Sequence, residues 1–306
     1  MAYLATAAED KIIRIFDSTT FQEVSQMKGH MRRITGVEWS LNGSHIASCS
    51  APTVRVWSAA TGDEEVTLQA HAEFVSCLAW DKKTGLLASC SQDTTAKVWD
   101  VQKGEMKMAL RGHTDALTSI AWSPDGSKLA TCGMDGSLKI WSSSGECLQS
   151  LTGHTGSVFC VTFSPDGSRI ATCGDVSLRI WKTEGMEEVF SLEGHSGSVT
   201  WASFSPDGSK IADVSRDGSV RLWDTASGEF LATVECNIGE LIRVVFSPDG
   251  SKLAACGQGA VVIDAETLQK VGVLDHPPGM SSISGVTWSP PGFSIPTRAK
   301  PVVEAD

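Results

Sequence analysis

The chain has no apolar run approaching the ~18 residues that a membrane-spanning helix requires. Its opening, MAYLATAAEDK, also lacks the basic stretch followed by a long apolar one that marks a secretory leader. Neither membrane insertion nor export is expected. Basic residues are in deficit: 25 Lys and Arg stand against 36 Asp and Glu, a formal net charge of -11. Nucleic-acid binding rests on neutralising phosphates with Lys and Arg, so this balance disfavours it. No CxxC pair and no Cys/His cluster at zinc spacing occurs among nine cysteines and seven histidines, so no metal and no cofactor is expected. Charged residues are only 20% of the chain, whereas 41% are hydrophobic, which is ample for a core.

What is present is one unit written many times. In Gly112 to Trp141, an apolar run holding Leu117, Ile120 and Trp122 ends at Ser123-Pro124-Asp125-Gly126. There Pro presets φ for the first turn position and Gly accepts φ > 0, so the tetrapeptide predicts a hairpin turn. A second run, Leu129 to Cys132, meets Met134-Asp135-Gly136, and Leu138, Ile140 and Trp141 then alternate with polar residues as in a half-buried strand. With Cys147 to Leu151 as a fourth, the unit is four short strands.

SPDG recurs at Ser123, Ser164, Ser205 and Ser247, with looser forms at Ser40 and Ser289. A Gly-His pair or its relic places its second residue at His30, His71, His113, His154, His195, Cys236 and His276, in steps of 41, 42, 41, 41, 41 and 40. Periods of ~40 to 45 residues with four strands each belong to β-propellers. On these Gly-His, SPDG and Trp-Asp signatures the chain resembles the WD40-repeat family over nearly its whole length. The expected fold is all-β, a seven-bladed propeller forming one ring, although ~300 residues would ordinarily suggest two domains.

The ends of the chain complement each other. Leu4-Ala5-Thr6 and Lys11 to Phe16 align with second and third strands, but their blade lacks a first strand; Ile283 to Trp288 has the first-strand pattern and no second strand after it. Residues 283–288 are therefore expected to complete the N-terminal blade and close the ring, so that residues 1–292 form a single propeller. Closure removes open sheet edges. Residues 293–306, with Pro296 and Pro301 and no repeat pattern, are expected to form a tail.

The cysteines fall into register rather than into pairs. Cys49, Cys90, Cys132, Cys173 and Cys256 share one second-strand position, one per blade, where cysteine acts as a small buried hydrophobe. Unpaired thiols suit a reducing compartment: cytoplasm is expected, with nucleus and cilium as alternatives.

Ser/Thr, His and Asp also recur in register, and a motif search would flag them as a hydrolase triad. The sets are His71, Ser89, Asp93 and Trp99; His113, Thr131, Asp135 and Trp141; and His195, Asp213, Asp217 and Trp223. The family resemblance implies a structural hydrogen-bond network joining turn Asp, His, strand hydroxyl and indole N–H. A catalytic triad would occur once and beside an oxyanion hole, so no enzymatic activity and no small-molecule substrate are expected.

Departures from the repeat supply the binding candidates. Trp201 alone among ten tryptophans ends neither a first nor a third strand; its register is otherwise Gly36, Cys77, Ser119, Cys160, Arg243 and Gly285. The resemblance implies that first strands line a central channel, which makes Trp201 and Arg243 an aromatic and cationic anchor or a patch of irregular core. Asp213 replaces the strand hydroxyl in the blade of Trp201 and is a candidate partner of His195 or Arg243. In the loops after Gly-His, three consecutive blades carry Arg32 and Arg33, then Glu73 and Phe74, then Asp115, while Gly156-Ser157 and Gly197-Ser198 offer little. The resemblance implies that loops at this place contact partner peptides, so the five residues are expected to form a contact arc.

The expected function is a non-enzymatic scaffold or adaptor for other proteins in a larger complex. One alternative is a substrate receptor of a cullin-type ubiquitin ligase, whose mark is Trp-Asp followed after one residue by Arg. Here Trp99-Asp100 leads to Gln102 and Trp223-Asp224 to Ala226, so it is disfavoured. The other is an RNA-processing or nucleic-acid-associated subunit, opposed by the acidic balance but allowed locally by Arg32 and Arg33.

Overall fold

The computed structural model describes residues 2–277, 280 and 282–294. It contains seven antiparallel sheets of four strands each and no helix among the described residues. We number the sheets as blades in ring order. Blade 1 combines Tyr3–Ala8, Ile12–Asp17 and Glu23–Lys28 with Ile283–Trp288 from the far end of the chain. Blades 2 to 7 follow as residues 34–69, 75–111, 117–152, 158–193, 199–235 and 241–273.

Ring closure is antiparallel pairing of Leu4 with Trp288, Ala5 with Thr287, Thr6 with Val286 and Ala7 with Gly285. Each first strand packs on the first strand of the next blade, and Leu241–Phe246 on Ile283–Trp288 completes the circle.

Burial falls from the inner strands outward. Second strands are buried on both faces, as in Tyr3–Ala8 and Leu87–Ser91, which explains their runs of small apolar residues. Fourth strands such as Glu64–Gln69 are mostly exposed and polar. The five registered cysteines sit on second strands with no exposed surface and no disulfide. Burial pushes the Cys49 and Cys256 thiols up to about 12, so they remain protonated and inert.

The SPDG turn is closed by its own side chains. Ser123 Oγ donates to Asp125 Oδ1 at 2.6 Å, and the N–H of Ser127 donates to the same oxygen at 3.0 Å. Those donors hold the Asp125 carboxyl down at about 2. Gly126 has φ +69°, and a Cβ there would lie 2.8 Å from Asp81 of the preceding blade, so glycine is required twice over.

The packed chain extends past residue 292. Phe293, which carries no repeat pattern, sets its ring 6.0 Å from Tyr3 and 5.0 Å from Trp39. The rest of the expected tail, residues 295–306, lies outside the described residues.

Between blades the structure contains a feature with no motif in the repeat. The second residue of four first strands is a hydroxyl that reaches the neighbouring blade: Thr35 to Val75 O at 2.5 Å, Thr118 to Val158 O at 2.5 Å, Thr200 to Leu241 O at 3.0 Å and Ser284 to Ile34 O at 2.5 Å. Each hydroxyl has one proton, and the shorter contact crosses the interface, so each clasps two blades together. Ser76, Phe159 and Ile242 hold the same place in the other blades and make no such bond among the described residues.

Candidate functional site

Two regions collect the residues that depart from the repeat: the face carrying the Gly-His loops, and the channel between the first strands. Both rest on the networks inside the blades.

In blade 3, His71 Nε2 lies 2.9 Å from Ser89 Oγ and its Nδ1 2.9 Å from Asp93 Oδ2, while Trp99 Nε1 donates to Ser89 Oγ at 2.9 Å. Blade 4 repeats this with His113, Thr131, Asp135 and Trp141 at 2.8 Å throughout. The chemistry closes: Nδ1–H donates to the carboxylate, the hydroxyl donates to Nε2, and the hydroxyl oxygen accepts from the indole. A neutral imidazole satisfies the whole set, and burial lowers the His71 and His113 pKa values. Ser89 and Thr131 have no exposed surface, so neither hydroxyl is placed as a nucleophile.

Other blades carry the network in part. Blade 2 has Pro52 where the turn Asp would be, so His30 bonds Ser48 at 2.6 Å without a carboxylate, and burial and nearby Arg55 drop it to about 4. In blade 5, Asp175 partly substitutes: its Oδ2 accepts the Thr155 N–H at 2.8 Å but lies 3.6 Å from His154 Nδ1. Blade 1 uses His276, whose Nε2 is 3.0 Å from Thr6 Oγ1. Blade 7 lacks the set, having Cys236, Ala255 and Ile263 in its place.

Blade 6 inverts the chemistry. His195 Nδ1 faces Asp217 at 2.8 Å, but the hydroxyl position is Asp213, fully buried, whose Oδ1 accepts from Trp223 Nε1 at 2.9 Å and lies 3.5 Å from His195 Nε2. A carboxylate accepts from the indole as a hydroxyl does, yet it cannot donate to Nε2. An added proton on the ring resolves the mismatch. Burial works against that proton, but the Asp213 and Asp217 carboxylates overcome it, and the His195 pKa rises above the usual 6.5. A raised histidine pKa contributes stability that is fully present below 6.5 and is lost as pH rises through the folded value. Asp213→Ser restores the hydroxyl and should move His195 to the lowered side with His71 and His113. The variant should then gain on the wild type in unfolding free energy between pH 6 and 8.5. Denaturant melts across that range check this, with His195 imidazole shifts followed by NMR; an unmoved His195 titration would sink it.

On the Gly-His face, Arg32, Arg33, Glu73 and Asp115 are exposed and Phe74 is half-buried. The Arg33 guanidinium stands 5.4 Å from the centre of the Phe74 ring, which joins the loops entering blades 2 and 3. The Ser50 hydroxyl holds the first loop through the Arg32 and Arg33 carbonyls at 3.1 and 2.9 Å. Asp115 bonds the N–H of Ala116 at 2.7 Å and makes no contact with the other four. The sequence reading missed two apolar residues here. Met31 is 80% exposed beside Arg32, and Met134 is 47% exposed in the turn that presents Asp135. Met134 had a legible signal: the matching places hold Gln92 and Arg216.

In the channel, Trp201 of blade 6 and Arg243 of blade 7 meet, the guanidinium 3.9 Å from the ring centre. Arg243 Nη2 is also 3.7 Å from Cys77 Sγ in blade 3. Blades 7 and 3 are not neighbours in the ring, so this side chain crosses the channel. Asp213 takes no part in it, pairing instead within its own blade.

Seven four-stranded blades, closed by the last described strand and stitched internally by His, hydroxyl and Trp, define a repeat propeller built to present its faces and its channel. The family model described as WD domain, G-beta repeat matches residues 21–58, 62–100, 104–142, 145–182 and 186–224, more than half of the chain. The chain belongs to that family, whose propellers are generally non-enzymatic and bind other proteins. It is similar to cell division control protein 4 of Saccharomyces cerevisiae, 30% identical over 76 residues that make up 25% of this chain and 10% of that protein. A probable cytosolic Fe-S cluster assembly factor of Schizosaccharomyces japonicus is 30% identical over 95 residues, 29% of this chain and 16% of that one. Nuclear distribution protein nudF of Aspergillus niger is 31% identical over 80 residues, 26% and 18%. The matched segments thus span less than a fifth of each relative's length.

Proposed function

We propose that this propeller is a non-enzymatic scaffold within a multiprotein assembly, and that it holds a partner protein on its Gly-His face along the loops of blades 2 to 4. The observation that carries this reading is the Arg33–Phe74 stack, with exposed Met31 and Met134 on the same face. Cationic, aromatic and flexible apolar side chains together on one solvent-facing surface are the residue types that anchor protein interfaces. Glu73 and Asp115 supply the acidic rim. The three relatives named above, similar over repeat segments only, are compatible with this reading and do not single out a pathway. Nine free cysteines support a reducing compartment, the cytoplasm in the first place. The cullin-receptor and nucleic-acid readings gain no observation of their own.

The test is capture of partners by the tagged full chain from its native cell, beside a variant carrying Arg32→Glu, Arg33→Glu and Phe74→Ala. These side chains lie outside the blade networks, so the variant should melt within a degree or two of the wild type while recovery of the partner set falls about tenfold or more. Undiminished recovery by the folded variant would show that the arc is not the contact surface. RNA that survives high salt in place of protein would favour the nucleic-acid alternative.

A further inference from the structure

The channel contains a charge without a counter-charge. Arg243 is only 9% exposed, yet among the described residues it forms no ion pair, and its one hydrogen bond is the weak contact to the Cys77 thiol. A guanidinium has five N–H donors, and burying one unpaired is costly. The groups around it are poor acceptors: Cys77, Cys49 and Gly36, whose Cβ position lies 4.0 Å from Arg243 Nη2. Glu38 feels the guanidinium but bonds the Trp80 N–H at 3.2 Å instead, and burial pushes its carboxyl up to about 7 despite the attraction of Arg243. Trp201 covers one face of the guanidinium and leaves its N–H edge for another ligand. Trp201, which stacks on the guanidinium, is itself only partly buried, so solvent reaches the channel at this point.

We propose that the central channel is an oxyanion site, in which the Arg243 edge receives a phosphate or carboxylate group while Trp201 holds the guanidinium in place. A planar, donor-rich fork with no protein acceptor matches the two oxygens of such a group. The site is separate from the contact arc, and either can fail without the other.

Calorimetric titration of the full chain with inorganic phosphate, and separately with acetate, tests this at constant pH and at constant ionic strength made up with chloride. One saturable site is expected for at least one of the two ions. Its Kd should rise about ten- to a hundredfold in Arg243→Met, the range for losing a charged hydrogen-bonding partner, and stay unchanged in Arg32→Glu/Arg33→Glu. A site for phosphate alone assigns a phosphorylated or free phosphate ligand; a site for acetate as well assigns a carboxylate. Saturable binding of neither ion, an unchanged Kd in Arg243→Met, or loss of binding in the surface variant overturns the proposal. If Arg243→Met does not fold, the wild type decides by itself: modification of Arg243 by butanedione, read by peptide mass spectrometry, should slow at least several-fold in phosphate or acetate. No slowing overturns the proposal equally.

Discussion

Val286→Asp should lower the unfolding free energy of this propeller by about 3–5 kcal/mol, while Val24→Asp in the same blade should change it by less than about 0.5 kcal/mol. Val286 has no exposed surface and packs with Leu4, Ala254, Val262 and Trp288 between blades 1 and 7. Its strand pairs by backbone hydrogen bonds with Tyr3–Ala8 and so brings the end of the repeat array back to its beginning. A carboxylate there is buried without a partner, and relieving it means peeling the closing strand away, which uncovers the inner edge of blade 1. Val24 lies on the outermost strand and is 48% exposed, so the same chemical change remains in solvent. Urea unfolding of the two variants and the wild type measures the contrast. A loss below 1 kcal/mol for Val286→Asp would mean that the ring holds without its closing strand.

Asp135→Ala should cost about 2–4 kcal/mol at pH 7, more than its place in a turn suggests. Asp135 accepts four hydrogen bonds, from His113 Nδ1 at 2.8 Å, Thr114 N at 3.0 Å, Ser137 N at 3.0 Å and Ser137 Oγ at 2.8 Å. Deleting it leaves His113 Nδ1 with only the Ser137 hydroxyl, 3.1 Å away, and takes the acceptor from the Thr114 and Ser137 N–H groups; unmade bonds to buried groups are the expensive kind. Burial pulls the Asp135 pKa up, but those donors outweigh it and bring the value down to about 2 from the usual 3.8. For a depressed carboxyl the stabilisation is present above 3.8 and lost as pH falls through the folded value. The gap between variant and wild type should therefore narrow as the pH drops from 4 to 2, and denaturant melts along that series read it. Blade 7 sets the contrast: with Cys236, Ala255 and Ile263 replacing the set together, no polar group is stranded, and the blade still packs. Loss of the whole network is tolerable where loss of one member is not.

The architecture was legible because a propeller is periodic. A 41-residue step, the SPDG turns and the registered Trp column located every blade, and the unmatched first strand at 283–288 told how the ring closes. The blade networks were legible for the same reason, since a column of hydroxyls beside a column of histidines is visible in an alignment of the chain with itself. Three things were not. The Thr35, Thr118 and Thr200 clasps take their meaning from a carbonyl 40 or 41 residues onward and the Ser284 clasp from one 250 residues back, and every residue has a carbonyl. Phe293 packs on Tyr3 and Trp39 through the third dimension alone, with nothing periodic to betray it. Trp201 and Arg243 stood out by register, but the span of Arg243 to Cys77 depends on the width of the channel, which no local pattern encodes.

The hydroxyl clasps occur at four of the seven joints, and their placement divides the circumference unequally. Ser284 and Thr35 fasten blades 1, 2 and 3 in series, Thr118 fastens 4 to 5, and Thr200 fastens 6 to 7. Ser119 Oγ on the Val161 N–H and Ser203 Oγ on the Phe246 N–H add second stitches to those last two pairs. Two joints without a clasp are fastened otherwise, by the Val199 N–H on Asp175 O at 3.1 Å between blades 5 and 6 and by Trp288 Nε1 on Val245 O at 3.2 Å between blades 7 and 1, so the hoop carries two kinds of rivet. The clasped run of blades 1 to 3 contains the blade shared by both ends of the chain and the loops bearing Arg33 and Phe74, so a partner gripping those two loops would hold blades already fastened to each other.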